Sequence, residues 1–266
     1  MRMADMDGRT LGSTYTFLPG AIPAVELSAE ELEARLIVGF DSSDGRSRPF
    51  NLLRTQVTKL MDANGWRMLG LTSATPAAGK TFTSVNLAAA LSRTGNRTVI
   101  LCDLDMRRGS IVKQMGVDVE VTLDDYLHGK TADWRDALFR VNDDRLVVLP
   151  TRAGLRDSSE MLTSGLFATL MADLRSLSRD YVVLCDLPPV FANDDAMLTM
   201  RYLDAYLLIV DHGRSTARQI EESLALMAPA RCIGTVLNRY QGGIADDYGY
   251  GYGDTYGLKD YGADRK

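Results

Sequence analysis

The chain has 266 residues, of which 45% are hydrophobic and 24% charged, with a formal net charge of −5. That length can bury one α/β core with a short appendage, and the acidic balance argues against nonspecific nucleic-acid binding. Three cysteines are too few for a disulfide scaffold, no apolar run approaches the roughly 20 residues of a membrane helix, and the start lacks a signal-peptide pattern.

Residues 1–25 mix Gly and Pro with few periodic apolar positions and read as a loose arm. Glu26–Ile37 reads as a short helix, with a capping-box pattern at Ser28-Ala29-Glu30-Glu31. Polar Asp41–Arg48 reads as a linker. Phe50, Leu53, Val57 and Leu60 keep helical spacing and predict a helix over Phe50–Ala63. From Arg67 a βα alternation begins. Strands are predicted at Arg67–Thr72, Arg97–Cys102, Arg145–Leu149, Tyr181–Cys185, Tyr206–Val210 and Cys232–Leu237. Helices are predicted over Lys80–Arg93, Ser159–Arg179 and Ala217–Ala228.

Several strands are continuous apolar runs, such as Val99-Ile100-Leu101 and Leu207-Leu208-Ile209-Val210. Such runs are buried on both faces, which predicts an α/β fold with a mainly parallel sheet flanked by helices. Cys102 and Cys185 fall inside these runs, which fits a reducing compartment. The tail, residues 241–266, holds seven Gly, five Asp and five of the chain's 11 Tyr. This composition cannot bury enough surface to order itself and reads as flexible. The expected organisation is an arm with a short helix (1–47), a P-loop domain (48–240) and a tyrosine-rich tail (241–266).

Three segments carry chemistry. Ala74-Thr75-Pro76-Ala77-Ala78-Gly79-Lys80-Thr81, continuing into Phe82, follows a strand and opens a helix. Backbone N–H groups there can cradle phosphates, with Lys80 as a charge on them and the Thr81 hydroxyl reaching Mg²⁺. Asp103-Leu104-Asp105-Met106-Arg107 follows the second strand, and Asp186-Leu187-Pro188-Pro189 follows the fourth. Ligands of parallel sheets sit at the carboxyl ends of strands, so these aspartates can approach one metal–phosphate centre. Each segment alone could be an ordinary turn; the three together predict Mg–nucleotide binding. His128 and His212 lack metal-ligand spacing and read as surface residues.

In this order the three segments resemble the Walker A, A′ and B motifs of the bacterial tyrosine kinases of the capsule and exopolysaccharide type. The resemblance covers roughly Phe50–Tyr240 and adds a tyrosine-rich tail. It implies a P-loop fold related to MinD and ParA, with ATP and Mg²⁺ as cofactors. Lys80 and Thr81 would hold phosphates and Mg²⁺, and Asp105 and Asp186 would hold Mg²⁺. Asp103 would be the base or positioning group for a tyrosine hydroxyl. Arg107 would pair with these carboxylates or contact phosphate, and Asn238 would contact adenine. The phosphoacceptors would be Tyr248, Tyr250, Tyr252, Tyr256 and Tyr261, modified between neighbouring subunits. A cytoplasmic protein recruited to the membrane by a polysaccharide co-polymerase is implied as well.

The sequence also departs from that family. The Glu-x-x-Arg-x-x-Arg ring segment is replaced by Arg48-Pro49-Phe50-Asn51-Leu52-Leu53-Arg54, and the loop carries Ala77-Ala78 where Gly-Glu is usual. These changes leave room for a non-catalytic nucleotide-binding regulator. A MinD/ParA-like switch is the third reading, although its second signature Lys is replaced by Thr75.

Overall fold

The continuous apolar runs form the centre of one sheet. A computed structural model describes residues 22–94, 97–142 and 145–240; the tail tyrosines and residues 1–21 lie outside them. In chain order the elements are β1 (Ala24–Val25), α1 (Ala29–Ala34), α2 (Arg48–Asn64), β2 (Met68–Ser73), α3 (Lys80–Ser92), β3 (Thr98–Asp103), α4 (Ser110–Met115), α5 (Leu123–Leu127), β4 (Phe139–Val141), β5 (Leu146–Leu149), α6 (Ser158–Thr163), α7 (Gly165–Ser176), β6 (Tyr181–Asp186), α8 (Asp195–Met200), β7 (Ala205–Asp211), α9 (Ala217–Met227) and β8 (Cys232–Asn238).

The strand order is β1-β4-β5-β3-β6-β2-β7-β8. Every neighbouring pair is parallel except β4 with β5. Every residue of β2, β5, β6 and β7 is buried. Both faces are therefore covered, and the runs need no alternation. One apolar layer joins α2, α3 and α4 to the sheet through Val57, Met61, Val85, Leu87 and Ile111. The other joins α5 and α7–α9 through Tyr126, Phe167, Leu170, Met200 and Met227. Each such side chain contributes about 1.5–3 kcal/mol on burial.

The mainly parallel sheet agrees with the sequence reading, and so do the six strands predicted there. One helix does not. The predicted Ser159–Arg179 helix is two, because Ser164 takes an extended conformation and its hydroxyl accepts the Phe167 N–H, capping α7. Periodicity alone runs through such an internal cap. The short elements α4, α5, α8 and β4 carry too few residues for a periodic signal.

The arm expected over residues 1–25 is held at its end, and the segment to residue 40 is tied to the sheet at several points. β1 pairs with β4, Leu27, Ile37 and Val38 are buried, and the Ser28–Glu31 capping box forms. Their main tie to the core is Asn86 of α3. Its side-chain oxygen accepts the N–H groups of Val38 (2.8 Å) and Gly39 (2.9 Å), and its amide donates to the carbonyls of Leu36 (3.1 Å) and Phe82 (3.0 Å). Gly39 lies so close to α3 that an added Cβ would stand 2.2 Å from the Asn86 carbonyl oxygen.

Asn86→Ala leaves the Val38 and Gly39 donors buried and unpaired, at about 1–3 kcal/mol each. The expected result is a loss of about 2–4 kcal/mol in urea unfolding with an unchanged m-value. A loss under 0.5 kcal/mol would show that this tie is dispensable.

Candidate nucleotide site

The carboxyl ends of β2, β3 and β6 meet at one point. β2 feeds the loop 74–79 and Gly79 caps α3 in a left-handed conformation (φ +92°). An L side chain is strained there, and a Cβ would lie 2.0 Å from the Asn238 amide nitrogen. The last residues of β3 and β6, Asp103 and Asp186, are register partners. The structure thus brings all three predicted segments together.

Asp186 is fully buried. Its two oxygens accept the hydroxyls of Thr81 (2.6 Å) and Ser84 (3.0 Å). Lys80 Nζ lies 3.5 Å from Asp105 Oδ2, with both side chains at least 95% buried. Asp103 accepts the backbone N–H of Asp105 (3.2 Å) on one oxygen and that of Ile111 (2.9 Å) on the other. It therefore shapes the loop after β3. Burial, and next the charge of Asp186, push the Asp103 carboxyl well above the usual carboxylate range. Burial also raises Asp186, against the opposing pull of Lys80 and the two hydroxyls. Crowding carboxylates in a dry site produces this effect.

Thr81, Asp105 and Asp186 form an all-oxygen donor set, the chemistry that a hard cation such as Mg²⁺ requires. No cage of three or more His, Cys, Asp or Glu side chains exists among the described residues. Mg²⁺ fits that limit, because it usually takes one or two carboxylates and fills its remaining positions with water and phosphate oxygens.

Arg107 lies to one side. Its Nε donates to Ser158 Oγ (3.1 Å) and stands 3.7 Å from Asp195 Oδ2. Asp195, fully buried, also accepts from Ser159 (2.8 Å) and Asn193 (2.6 Å). Asn238 donates to the Ala78 carbonyl (2.8 Å), so its amide braces the loop. Pro76 and Ala77 form the outer turn, and Ala77 adopts a left-handed conformation (φ +63°). Phe82 packs edge-on against Phe50, with centroids 5.7 Å apart. The tyrosines Tyr248, Tyr250, Tyr252, Tyr256 and Tyr261 lie outside the described residues.

Sequence reasoning passed over three participants. Ser84 sits one helical turn after Lys80 and holds Asp186. Arg239 donates to the Ala77 carbonyl (2.9 Å) and to Asp211 Oδ2 (2.7 Å). Asp211 ends β7, and its other oxygen has no hydrogen-bond partner among the described residues. The signal for Asp211 was present, since it ends a continuous apolar run as Asp103 and Asp186 do. His128 bridges the Asp124 carbonyl (2.7 Å) and the Asp157 carboxylate (3.0 Å) as a surface residue.

Comparison with known proteins agrees with this geometry. The family model "CobQ/CobB/MinD/ParA nucleotide binding domain" matches residues 71–247. The tyrosine-protein kinase wzc of Salmonella typhimurium is 30% identical over 82% of this chain, which spans 30% of the length of wzc. The tyrosine-protein kinase CpsD of Streptococcus agalactiae is 27% identical over 79% of this chain and 90% of its own. Among solved structures, the kinase domain of the Escherichia coli tyrosine kinase ETK aligns with TM-score 0.68 at 25% identity, covering 83% of this chain and 92% of that one. The resemblance read from the three motifs is borne out. No helix among the described residues is long and apolar enough to cross a membrane.

Two predictions follow from the strained and charged groups. The left-handed Ala77 costs about 1–2 kcal/mol, against about 0.5–1 kcal/mol for the added freedom of a glycine. Ala77→Gly is therefore expected to stabilise by up to about 1 kcal/mol, read as a higher urea midpoint; a lower midpoint contradicts this. Asp186 has a raised folded-state pKa, so its ionisation weakens the fold as pH rises from the unfolded value of 3.8 through the folded one. Asp186→Asn should melt higher than the parent at pH 7, with the gap closing by about pH 3.5. A gap that widens on acidification would reverse the sign.

Proposed function

The chain belongs to the CobQ/CobB/MinD/ParA nucleotide-binding family, and we propose that within it the protein is a Mg-ATP-dependent tyrosine autokinase. The observation that carries the reading is the convergence of Lys80, Thr81, Asp105 and Asp186 at the ends of three adjacent strands, together with its likeness to named tyrosine kinases.

In this reading the loop N–H groups and Lys80 hold the β- and γ-phosphates. Thr81, Asp105 and Asp186 hold Mg²⁺, which offsets the phosphate charge. A tyrosine oxygen forms a bond to the γ-phosphorus as the bond to the β–γ bridging oxygen breaks. ADP leaves with that electron pair. The phenolic proton passes to Asp103, which stands beside Asp186 at the end of β3. Among the described residues each Asp103 oxygen accepts one backbone N–H, which leaves a lone pair for that proton.

The acceptors proposed are Tyr248, Tyr250, Tyr252, Tyr256 and Tyr261, offered by a neighbouring subunit. The partner proposed is a membrane polysaccharide co-polymerase that recruits and activates the protein from the cytoplasmic side. A second reading, a non-catalytic nucleotide-binding regulator, is favoured by one observation, the strained Ala77 in the phosphate loop.

The test is incubation of the purified chain with Mg-ATP, alone and with the cytoplasmic segment of its membrane partner, followed by phosphotyrosine mapping. Phosphate on Tyr248–Tyr261 that Lys80→Met abolishes supports the kinase. Nucleotide binding without phosphotyrosine under either condition supports the regulator. Release of inorganic phosphate without phosphotyrosine points to an ATPase switch.

A further inference from the structure

Arginine recurs at the entrances to the strands. Arg67, Arg97, Arg145 and Arg231 stand one residue before β2, β3, β5 and β8, and Arg179 stands two residues before β6. Arg201 lies four residues before β7. These strands are parallel to one another, so the six arginines gather at the amino end of the sheet, opposite Asp103 and Asp186. Backbone hydrogen bonds fix the placement. The carbonyls of Arg67, Arg145 and Arg231 accept the N–H groups of Val183 (2.8 Å), Val99 (2.8 Å) and Tyr206 (2.9 Å). A strand spacing of about 4.8 Å spreads the row over about 24 Å.

Part of this charge has a structural task. Arg67 donates to the carbonyls of Arg175 (2.6 Å) and Leu177 at the carboxyl end of α7, where a cation opposes the helix dipole. Arg97 pairs with Asp62 (2.6 Å), and Arg175 pairs with Asp204 (2.9 Å). Beside Arg145 the sequence places Asp143 and Asp144. The surplus lies at β6, β7 and β8. Arg179, Arg201 and Arg231 are exposed, and no carboxylate pairs with them among the described residues. Asp180, next to Arg179, accepts the Ser178 hydroxyl instead (3.3 Å). The Arg201 guanidinium lies 4.8 Å over the Tyr202 ring and that of Arg231 lies 5.4 Å over Trp66. An aromatic face holds a guanidinium in place without cancelling its charge.

Arg201 and Arg231 also line a groove of about 440 Å³ with Met197, Met200, Leu226 and Met227. Met197 and Leu226 are 36% and 48% exposed, so apolar side chains stand beside the free cations. The carboxylate in the groove, Asp204, is already paired with Arg175. Cations spread over several strand entrances, aromatic rings beneath them and apolar side chains alongside form the composition of a membrane-interface surface. There the cations meet lipid phosphates while the apolar groups enter the boundary with the acyl chains.

We propose that the amino end of the sheet, through Arg179, Arg201 and Arg231 and the groove beside them, is a docking surface for an anionic phospholipid membrane. The six-residue strands β3 and β6 put about 20 Å between this surface and the carboxylates of the nucleotide site. A docked chain therefore keeps its phosphate loop turned away from the lipid. The inference does not rest on the kinase reading. It adds direct lipid contact to recruitment by a protein partner, so vesicles that lack the partner test it separately.

The test is co-sedimentation of the full chain with vesicles of phosphatidylcholine, alone or with about 30% phosphatidylglycerol. The parent should sediment with the anionic vesicles alone and should be released by about 0.5 M salt. Each basic residue near an anionic surface contributes about a fivefold gain in partitioning, so Arg179→Gln, Arg201→Gln and Arg231→Gln together should lower it about 100-fold. The same three positions changed to Lys should keep binding within a fewfold, which separates charge from packing. A control chain with Arg156→Gln, Arg214→Gln and Arg218→Gln has the same net charge as the Gln triple, with its changes between the ends of β5 and β7 and the first turns of the helices that follow. It should bind within about threefold of the parent. Unchanged melting temperatures confirm folding.

Equal binding to neutral and anionic vesicles, equal losses in the two Gln triples, or no sedimentation at low salt overturns the proposal. Capture of a fluorescein-labelled poly-glutamate peptide by the parent and not by the Arg179, Arg201 and Arg231 Gln triple, without vesicle binding, would make this face a dock for acidic protein segments and also overturns it.

Discussion

The site depends first on the in-register parallel pairing of β3 with β6. That pairing sets Asp103 directly beside Asp186, each as the last residue of its strand. β2 lies on the other side of β6, where Leu71 is the register partner of Asp186. The phosphate loop therefore leaves the sheet within hydrogen-bonding reach of the same carboxylate. A slip of one residue would turn one aspartate to the opposite face. The dense apolar filling of both faces forbids that slip, because it would also drive every alternate core residue out of place.

The same filling makes the carboxylates costly. Asp103, Asp105 and Asp186 are each at least 98% buried, with Lys80 as the one cation lying within salt-bridge distance among the described residues. Such crowding opposes ionisation. An environment of this kind weakens the fold and suits a bound divalent cation. Stability and function pull in opposite directions here, as they commonly do at binding sites.

Much of this was legible in the sequence. Asp103 and Asp186 were visible because each terminates an unbroken apolar run, and Gly79-Lys80-Thr81 because it joins a strand to a helix. The break at Ser164 was hidden, since a capping serine inside a periodic segment leaves the apolar spacing intact. Ser84 and Arg239 were hidden for a different reason. Their partners, Asp186 and the Ala77 carbonyl, lie 102 and 162 residues away in the chain, and no local pattern encodes such contacts. Asn86 is similar: its amide looks out of place on an apolar helix until the backbone at 36–39 is laid against it.

Arg239 and Asn238 have one more consequence. These adjacent residues hold the carbonyls of Ala77 and Ala78, at 2.9 and 2.8 Å. They also lie where the described chain leaves the sheet at the end of β8. A load on the distal chain, from whatever grips it, reaches the phosphate loop through two hydrogen bonds. The coupling runs both ways: a ligand that tightens the loop stiffens the anchorage of the distal chain, and traction on that chain slackens the grip on the ligand by the same free energy. The loop and the chain's exit therefore act as the two ends of a short mechanical linkage.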